Sequence, residues 1–167
     1  MNNDVADSIR FLKRKIVDNI FIVLREIDFK KSGLNFKLKR NDLLYFIQIQ
    51  YSQSSNAKFC KFTINIGIAS LRLCEIEKID KPNYLDSHWT KRIGFFLDQP
   101  DDKWWTIDDF KTVEKATNEI STLLKNKVFP EVFAFSNTGD LESFWLDGKS
   151  QGLTEKQREF YLNLLGH

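Results

Sequence analysis

Large apolar side chains recur every three or four positions along residues 5–27, the spacing that places them on one face of an α-helix. Charged residues such as Arg10 and Lys13 fall mainly off this stripe, and Asn3 and Asp4 stand where they can cap its start. The pattern predicts a long amphipathic helix at the start of the chain. Its apolar stripe is Ile9, Leu12, Ile16, Ile20, Val23 and Ile27.

A period-two alternation of apolar and polar residues follows this helix. It predicts strands over about 35–40, 43–52 and 59–70, and another over 91–97. Strict alternation is typical of antiparallel strands that bury one side and leave the other in contact with water. The buried side is expected to carry Ile47, Ile49, Ile64 and Ile66.

The same alternation assigns a set of polar side chains to the opposite side of these strands. Such a set is either solvated or binds something, because buried polar groups need hydrogen-bond partners. Trp104 and Trp105 follow the strand of Arg92 and are expected to close one end of the set. The alternative is that Arg92 pairs with a nearby acid such as Asp108 and that the tryptophans close the core. The side chains assigned to this face are Phe46, Gln48, Gln50, Thr63, Asn65, Arg92 and Phe96.

Helical spacing returns in the second half of the chain. Asp108 and Asp109 supply capping groups for a central helix that is expected to run to about Val128 and to end or kink at Pro130. Thr154-Glu155-Lys156-Gln157 is a capping box that opens a last short helix. The predicted fold is α+β: an antiparallel sheet of about four to five strands, long N-terminal and central helices packed on one face, and short C-terminal helices.

Length, charge and cysteine content add a size and a compartment. The chain has 167 residues, which suits a single domain spanning 1–167. Its net charge is +2, but residues 1–40 carry ten Lys or Arg against five Asp or Glu. No secretory signal and no apolar run of membrane-spanning length stand out. We therefore expect a cytoplasmic protein without membrane contact, in which Cys60 and Cys74 are free thiols.

Five short segments carry a family resemblance through their order and spacing. They are Ile27-Asp28-Phe29-Lys30-Lys31, Phe46-Ile47-Gln48-Ile49-Gln50, Phe62-Thr63-Ile64-Asn65-Ile66-Gly67, Arg92-Ile93-Gly94 and Trp104-Trp105. Together they resemble a bacterial family called domain of unknown function 4304. The resemblance gives a family-like core over about 1–135 and a helical C-terminal extension over about 136–167. It implies a small standalone bacterial cytoplasmic protein without an assigned activity, and analogy with other small accessory proteins suggests an immunity or antitoxin role.

The sequence offers no catalytic constellation. His88 and His167 are the two histidines, Cys60 and Cys74 lie too far apart for a zinc motif, and neither a glycine-rich phosphate loop nor a nucleophile elbow occurs. Pro100-Asp101-Asp102-Lys103 faintly resembles a metal-dependent nuclease motif, but its residues are contiguous in a predicted loop. We therefore expect no metal, no cofactor and no catalytic residue.

Three functions remain open. The first is non-enzymatic binding of a protein partner, such as a toxin, on the polar sheet face or on the aromatic rim formed by the two tryptophans. The second is binding of, or an enzyme acting on, a small anion held by Arg92. The third is nucleic-acid binding through the basic first third of the chain. A flat face around Arg92 favours a partner, and a deep pocket favours a ligand. The residues expected to bind are Gln48, Gln50, Asn65, Arg92, Trp104 and Trp105.

Overall fold

The computed structural model describes residues 2–167, with side chains from residue 8 onward, so the expected capping by Asn3 and Asp4 lies outside the described side chains. The helices are α1 (Asn2–Arg25), α2 (Leu71–Ile76), α3 (Phe110–Leu123), α4 (Phe129–Val132), α5 (Thr138–Leu146) and α6 (Glu155–Leu164). The strands are β1 (Lys30–Ser32), β2 (Asn35–Arg40), β3 (Leu43–Tyr51), β4 (Cys60–Ser70), β5 (Trp89–Arg92) and β6 (Trp105–Ile107). The predicted α+β class is confirmed.

These strands form one antiparallel sheet in the order β1-β2-β3-β4-β5, with β6 also paired to β4. β3 and β4 are the longest strands and form the centre of the sheet. β5 pairs with residues 65–68 of β4, whereas β6 pairs with residues 60–62. Because β4 is long enough to pair with both, β5 and β6 lie end to end along one edge of β4.

The face of the sheet that packs against α1 and α3, here called the helix face, forms the main core. Ile47, Ile49, Ile64 and Ile66 lie on it and are each at most 2% exposed, which confirms the predicted phase of both strands. The two helices also contact each other, and the side-chain amide of Asn19 donates to the hydroxyl of Thr117 at 3.2 Å. Burial of each large apolar side chain contributes about 1.5–3 kcal/mol, so this face stabilises the fold.

The opposite face, here called the open face, is covered over only part of its area. α2 and the 3-10 turn at Tyr84–Asp86 pack where β3 begins and β4 ends. They form a second, smaller apolar cluster with Leu44, Phe46 and Ala69. The half of the face that carries Gln48 and Gln50 has no helix packed on it among the described residues, and both side chains remain half-buried.

The C-terminal helices attach to the sheet through specific contacts. The carboxylate of Asp42, in the β2–β3 turn, accepts the backbone N–H of Thr138 at the start of α5, at 3.1 and 3.2 Å. Trp145 of α5 is 1% exposed and belongs to the main core. After α5, the carbonyl oxygen of Gln151 accepts the backbone N–H of Thr90 at 3.3 Å, beside β5. At the other edge of the sheet, β1 has three residues, all of them exposed.

Two strands are absent from the sequence prediction, and a third is shorter than predicted. β1 and β6 have three residues each, too few for a period of two to be visible. The strand predicted over 91–97 ends at Arg92, and Ile93–Phe96 forms a 3-10 turn. Gly94 allows the following loop to lie against this turn, because a Cβ there would lie 2.0 Å from the carbonyl oxygen of Asp101. The loop can fold back onto this backbone only where no side chain stands.

The central helix also ends earlier than predicted. α3 stops at Leu123 and continues through a π-helical turn over Leu124–Val128 into α4. Pro130 lies in the first turn of α4, and its missing N–H leaves the carbonyl of Asn126 without an α-helical partner. The expected break therefore appears as a change of helix type just before the proline. The capping box of the last helix is confirmed, since Thr154 Oγ1 accepts the backbone N–H of Gln157 at 3.2 Å.

Candidate binding site

A row of polar side chains crosses the open face of the sheet. Asn35, Gln48, Asn65 and Arg92 occupy directly paired positions on β2, β3, β4 and β5. Neighbouring strands lie about 4.8 Å apart, so the row spans roughly 14 Å. Gln50 stands beside it, two residues further along β3. These five side chains are called the amide row below.

Hydrogen bonds join the amide row from one end to the other. Arg92 Nε donates to Asn65 Oδ1 at 3.2 Å. Asn65 Nδ2 donates to Gln50 Oε1 at 2.8 Å and to Gln48 Oε1 at 3.2 Å. Gln48 Nε2 in turn donates to Asn35 Oδ1 at 3.1 Å. In each of these bonds the donor belongs to the residue nearer to Arg92. All hydrogen bonds of the row therefore point away from Arg92.

Arg92 determines that direction. A guanidinium group has only donors, so Asn65 must turn its oxygen towards Arg92 and its nitrogen towards the glutamines. Gln48 and Gln50 must then present oxygens to Asn65. The acceptors are therefore used within the row, whereas the amide nitrogens of Gln50 and Asn35 have no hydrogen-bond partner among the described residues. The row offers unused N–H donors at the protein surface.

Arg92 is itself held at its end of the row. Its Nη1 donates to Asp102 Oδ1 at 2.6 Å, and its guanidinium carbon lies 5.3 Å from the ring centroid of Trp104. The hydrogen bond from Arg92 lowers the pKa of Asp102, so this carboxylate stays charged at neutral pH. The acid that pairs with Arg92 is thus Asp102 rather than Asp108, which instead lies beside Thr112 at the start of α3.

The loop that carries Asp102 and Trp104 is fastened to the sheet. Thr63 Oγ1 donates to the carbonyl oxygen of Lys103 at 2.8 Å, which places the loop over β4. The ammonium group of Lys103 pairs with the carboxylate of Glu119 on α3. Thr63 lies on the predicted face but is fully buried beneath this loop. The loop therefore forms a fixed wall at the Arg92 end of the amide row.

The family model described as Domain of unknown function (DUF4304) matches residues 22–133, about two thirds of the chain. The chain belongs to the DUF4304 family. No curated protein and no solved structure matches it. The matched span begins within α1 and ends just after α4, so it contains all six strands of the sheet and the complete amide row of this DUF4304 protein. The family resemblance of the five sequence segments is confirmed.

Most side chains that the sequence assigns to the site do meet on the open face of this DUF4304 domain. Trp105 does not, because neighbouring strand residues point to opposite faces. It lies on the helix face, 7% exposed, and its Nε1 donates to Glu119 at 2.9 Å. Phe96, expected on the open face, lies instead in the main core, because the 3-10 turn redirects it. The residues that do come together are Gln48, Gln50, Asn65, Arg92 and Trp104.

Asn35 belongs to the row but is missing from the sequence-based site. A sequence signal for it exists in the turn at Asn41-Asp42. A two-residue turn pairs positions that are equally distant from it, and this places Asn35 opposite Gln48. The alternation within each strand gives the face of a residue, whereas the turn length gives its cross-strand neighbour.

His88 lies away from the row and is held by both ring nitrogens. Its Nδ1 accepts the backbone N–H of Ser70 at 3.0 Å, so the ring proton resides on Nε2, which lies 3.2 Å from Glu77 Oε2. Burial lowers the pKa of His88 and outweighs the opposing effect of Glu77. Because both nitrogens are engaged, this ring cannot activate the thiol of Cys74, whose pKa burial raises to about 11.

Both cysteines of this DUF4304 protein are free and buried. Burial also raises the pKa of Cys60, so both thiols stay protonated near neutral pH. Among the described residues, no three His, Cys, Asp or Glu side chains are grouped as metal ligands would be. No helix within residues 2–167 combines the length and the apolar character needed to cross a bilayer.

Proposed function

We propose that this DUF4304 protein is a non-enzymatic binding protein that holds a protein partner on the open face of its sheet. The observation that carries the proposal is the direction of the amide row, which leaves N–H donors of Gln50 and Asn35 unused. Donors on a sheet match the backbone carbonyls and carboxylates of a partner. Arg and Trp are enriched among the residues that dominate interface affinity, and Arg92 and Trp104 stand together at the end of the row.

The ionisable groups of the molecule favour binding over catalysis. A general acid or base works best with a pKa near the operating pH, and Arg92 holds the pKa of Asp102 below its ordinary value. His88 is buried with both nitrogens engaged. His167 lies at the end of the chain, 3.4 Å from Glu142. A binding role requires none of these groups to change its protonation state.

A small anion held by Arg92 is the alternative function. Arg92 already donates to Asp102, so an anion would have to displace that carboxylate from Nη1 or share the guanidinium with it. A partner carbonyl can accept a hydrogen bond from Gln50 without disturbing this pair. The geometry of Arg92 therefore favours the partner.

We further propose that the protein is bacterial, acts in the cytoplasm and folds as a single unit, with residues 136–167 extending a family core over about 1–135. The two unpaired thiols suit a reducing compartment. The bond between Asp42 and the start of α5, and the burial of Trp145, support a single folding unit. A toxin as the partner, with this chain as its immunity protein or antitoxin, is the narrower version and rests on family analogy.

The test compares two amide-to-carboxylate changes in partner capture from the source cell. Gln50→Glu keeps the oxygen that accepts from Asn65 but removes the free N–H donors, so the protein should fold and lose its partner. Asn118→Asp makes the same chemical change on the exposed surface of α3 and should capture normally. Trp104→Ala should weaken capture by about thirtyfold if Trp104 is a dominant contact, which corresponds to about 2 kcal/mol.

Three outcomes would contradict the proposal. One is a partner that binds Gln50→Glu and Trp104→Ala as tightly as the unchanged protein. Another is saturable binding of phosphate or citrate that Arg92→Ala abolishes, with no protein captured, which would favour the anion. The third is turnover of a substrate by the purified protein. Circular dichroism of each variant separates lost binding from lost folding.

A further inference from the structure

A groove lies on the open face next to the Asn35 end of the amide row. Its volume is about 240 Å³, below the roughly 300–1,000 Å³ of typical small-molecule sites. A space of this size suits one large side chain of a partner. Its lining includes Lys30, Lys37, Asn35, Phe46, Pro82 and Tyr84.

The groove arises from one cross-strand row of the sheet. Lys30, Lys37, Phe46 and Gly67 occupy directly paired positions on β1, β2, β3 and β4. A Cβ at Gly67 would lie 3.0 Å from the ring of Tyr84, so the 3-10 turn of Tyr84 packs against β4 where no side chain stands. This second cross-strand row is therefore covered by Tyr84 at its β4 end and exposed to solvent at Lys30 and Lys37.

The lysine end carries positive charge that the protein does not neutralise. Lys31, Lys91, Lys103 and Lys127 each pair with a carboxylate. Lys30 and Lys37, in contrast, have no ion-pair partner among the described residues, and both are exposed to solvent. They also face each other directly across β1 and β2, and like charges in this position are unfavourable. A bound anionic group would relieve this repulsion.

No Asp or Glu is among the described residues that line the groove, and Asp86, in the turn that carries Tyr84, is held within that turn. Asp86 closes the 3-10 turn, where its Oδ2 accepts the backbone N–H of Asn83 at 2.8 Å. The amide row adds unused donors at Asn35, which also lines the groove. Positive charge, unused donors and an apolar floor therefore meet within one short stretch of the face.

We infer that the partner presents an acidic peptide segment to this face and places one large apolar side chain of that segment in the groove, over Phe46 and beside Tyr84. Its carboxylates lie over Lys30 and Lys37, and its backbone accepts hydrogen bonds from the amide row. This inference rests on the proposed function and names the chemistry of the partner. A narrow apolar groove beside two lysines fits such a segment better than a nucleic acid, which needs several stacking rings along a basic track.

The experiment measures fluorescence anisotropy with three labelled peptides. One is a run of glutamates with a central phenylalanine, the second has alanine at the centre, and the third replaces every glutamate by lysine. The phenylalanine peptide should bind at least about tenfold more tightly than the alanine peptide, and the lysine peptide should not bind. Binding should weaken with added salt, because exposed charges are screened.

Lys37→Glu changes the charge at this end of the groove without removing a buried side chain, since Lys37 is exposed. It replaces the like-charge pair with Lys30 by an opposite-charge pair, so its denaturation midpoint should rise slightly while peptide affinity falls by at least about tenfold. Lys156→Glu makes the same charge change on exposed α6 and should leave peptide binding unchanged. Together the two variants separate a local effect from a change in net charge.

Equal binding of the phenylalanine and alanine peptides would overturn the inference, as would an equal loss in both lysine variants. If none of the three peptides binds, or if an oligothymidine binds more tightly than the phenylalanine peptide, the inference is also overturned. The experiments distinguish failure of this inference from failure of the proposed function. A captured partner that is lost in Gln50→Glu but kept in Lys37→Glu removes this inference and leaves the proposed function standing.

Discussion

The two faces of β3 and β4 are built from alternating residues of the same segments, yet different forces hold them. On the helix face, Ile47 and Ile64 are stabilised by exclusion of water, a force without direction. On the open face, Gln48 and Asn65 exchange hydrogen bonds, each worth about 0.5–1.5 kcal/mol net and each with a donor and an acceptor. The helix face thus depends on the volume of its side chains. The open face depends on which side-chain atoms donate hydrogen bonds and which accept them.

This difference has a consequence for substitution. An apolar core accepts another side chain of similar volume at a cost usually below about 1.5 kcal/mol. The amide row does not accept an exchange of donor and acceptor, because Arg92 propagates its polarity through Asn65 to Gln48. A substitution on the helix face therefore matters through the change in side-chain volume. A substitution on the open face matters through the change in which atom carries the proton.

The largest loss of stability is expected at Trp145, and its size shows whether the helix-face core includes the C-terminal helices. Trp145→Ala should lower the free energy of unfolding by about 3–5 kcal/mol, because a buried Trp of the main core is removed. Trp145→Phe should cost less, since Trp145 Nε1 is buried without a partner among the residues that the structure describes, and no such hydrogen bond is lost. Denaturant titration measures both. A loss below about 1 kcal/mol for Trp145→Ala would mean that residues 136–167 are separable from the core.

The next effect contrasts the two faces within one strand. Ile64→Ala should destabilise the protein by about 2–5 kcal/mol, because it opens a cavity at a fully buried position of β4. Lys61→Ala, on the opposite face of the same strand and half-buried, should stay within about 0.5 kcal/mol of the unchanged protein. Urea titration of the pair is the measurement. Similar losses at the two positions would remove the contrast between the faces.

A smaller effect sharpens the role of direction on the open face. Asn65→Asp keeps an acceptor for Arg92 but cannot donate to Gln48 or Gln50, so both amides must turn over. Because the turned-over amides and Arg92 can all donate to the new carboxylate, we expect the free energy of unfolding to change by no more than about 1 kcal/mol. The side-chain amide signals of both glutamines should shift in nuclear magnetic resonance spectra, whereas the signal of exposed Gln53 stays in place. Unmoved glutamine signals would mean that the row is not a connected unit.

The smallest effect concerns the pH dependence of stability and the buried side chain of His88. Burial lowers the folded-state pKa of His88 below its ordinary value of 6.5, and Glu77 and Asp86 oppose this shift. The unfolded chain therefore binds the proton more readily, so this contribution to stability is complete above about pH 6.5 and is lost as the pH falls through the folded-state pKa. His88→Gln should flatten the dependence between about pH 7.5 and 5. An unchanged slope in that variant would assign the dependence to other groups.

The predictable part of this fold is the part with a local cause. The isoleucines of β3 and β4 identify their own faces, and the capping box at Thr154 identifies the start of α6. β6 and the 3-10 turn after Arg92 depend instead on contacts across the chain. Gly94 admits the loop at Asp101; a glycine within a strand pattern indicates a close backbone approach, but not which segment approaches.

The candidate site divides along the same line. Alternation places Gln48, Gln50 and Asn65 on one face, and the structure brings them together there. The exclusion of Trp105 follows from alternation as well, once β6 is known to be a strand. For the groove at Phe46, the sequence gives only Gly67, whose place in a strand indicates a close backbone approach. It does not indicate that the turn of Tyr84 is the segment that packs there.

The outermost strand, β1, also bears on how these molecules behave in a crowded solution. An exposed sheet border is a template on which a second copy can extend the ladder, and repeated extension produces fibres. β1 offers three exposed residues, two of them lysines, so an approaching copy meets like charge along a very short border. At β5, Gly152 lies so close to Thr90 that a Cβ there would be 2.0 Å from the hydroxyl oxygen, and the chain itself occupies that approach. Both features oppose edge-to-edge pairing between copies of the protein. They favour separate molecules over fibres at high protein concentration.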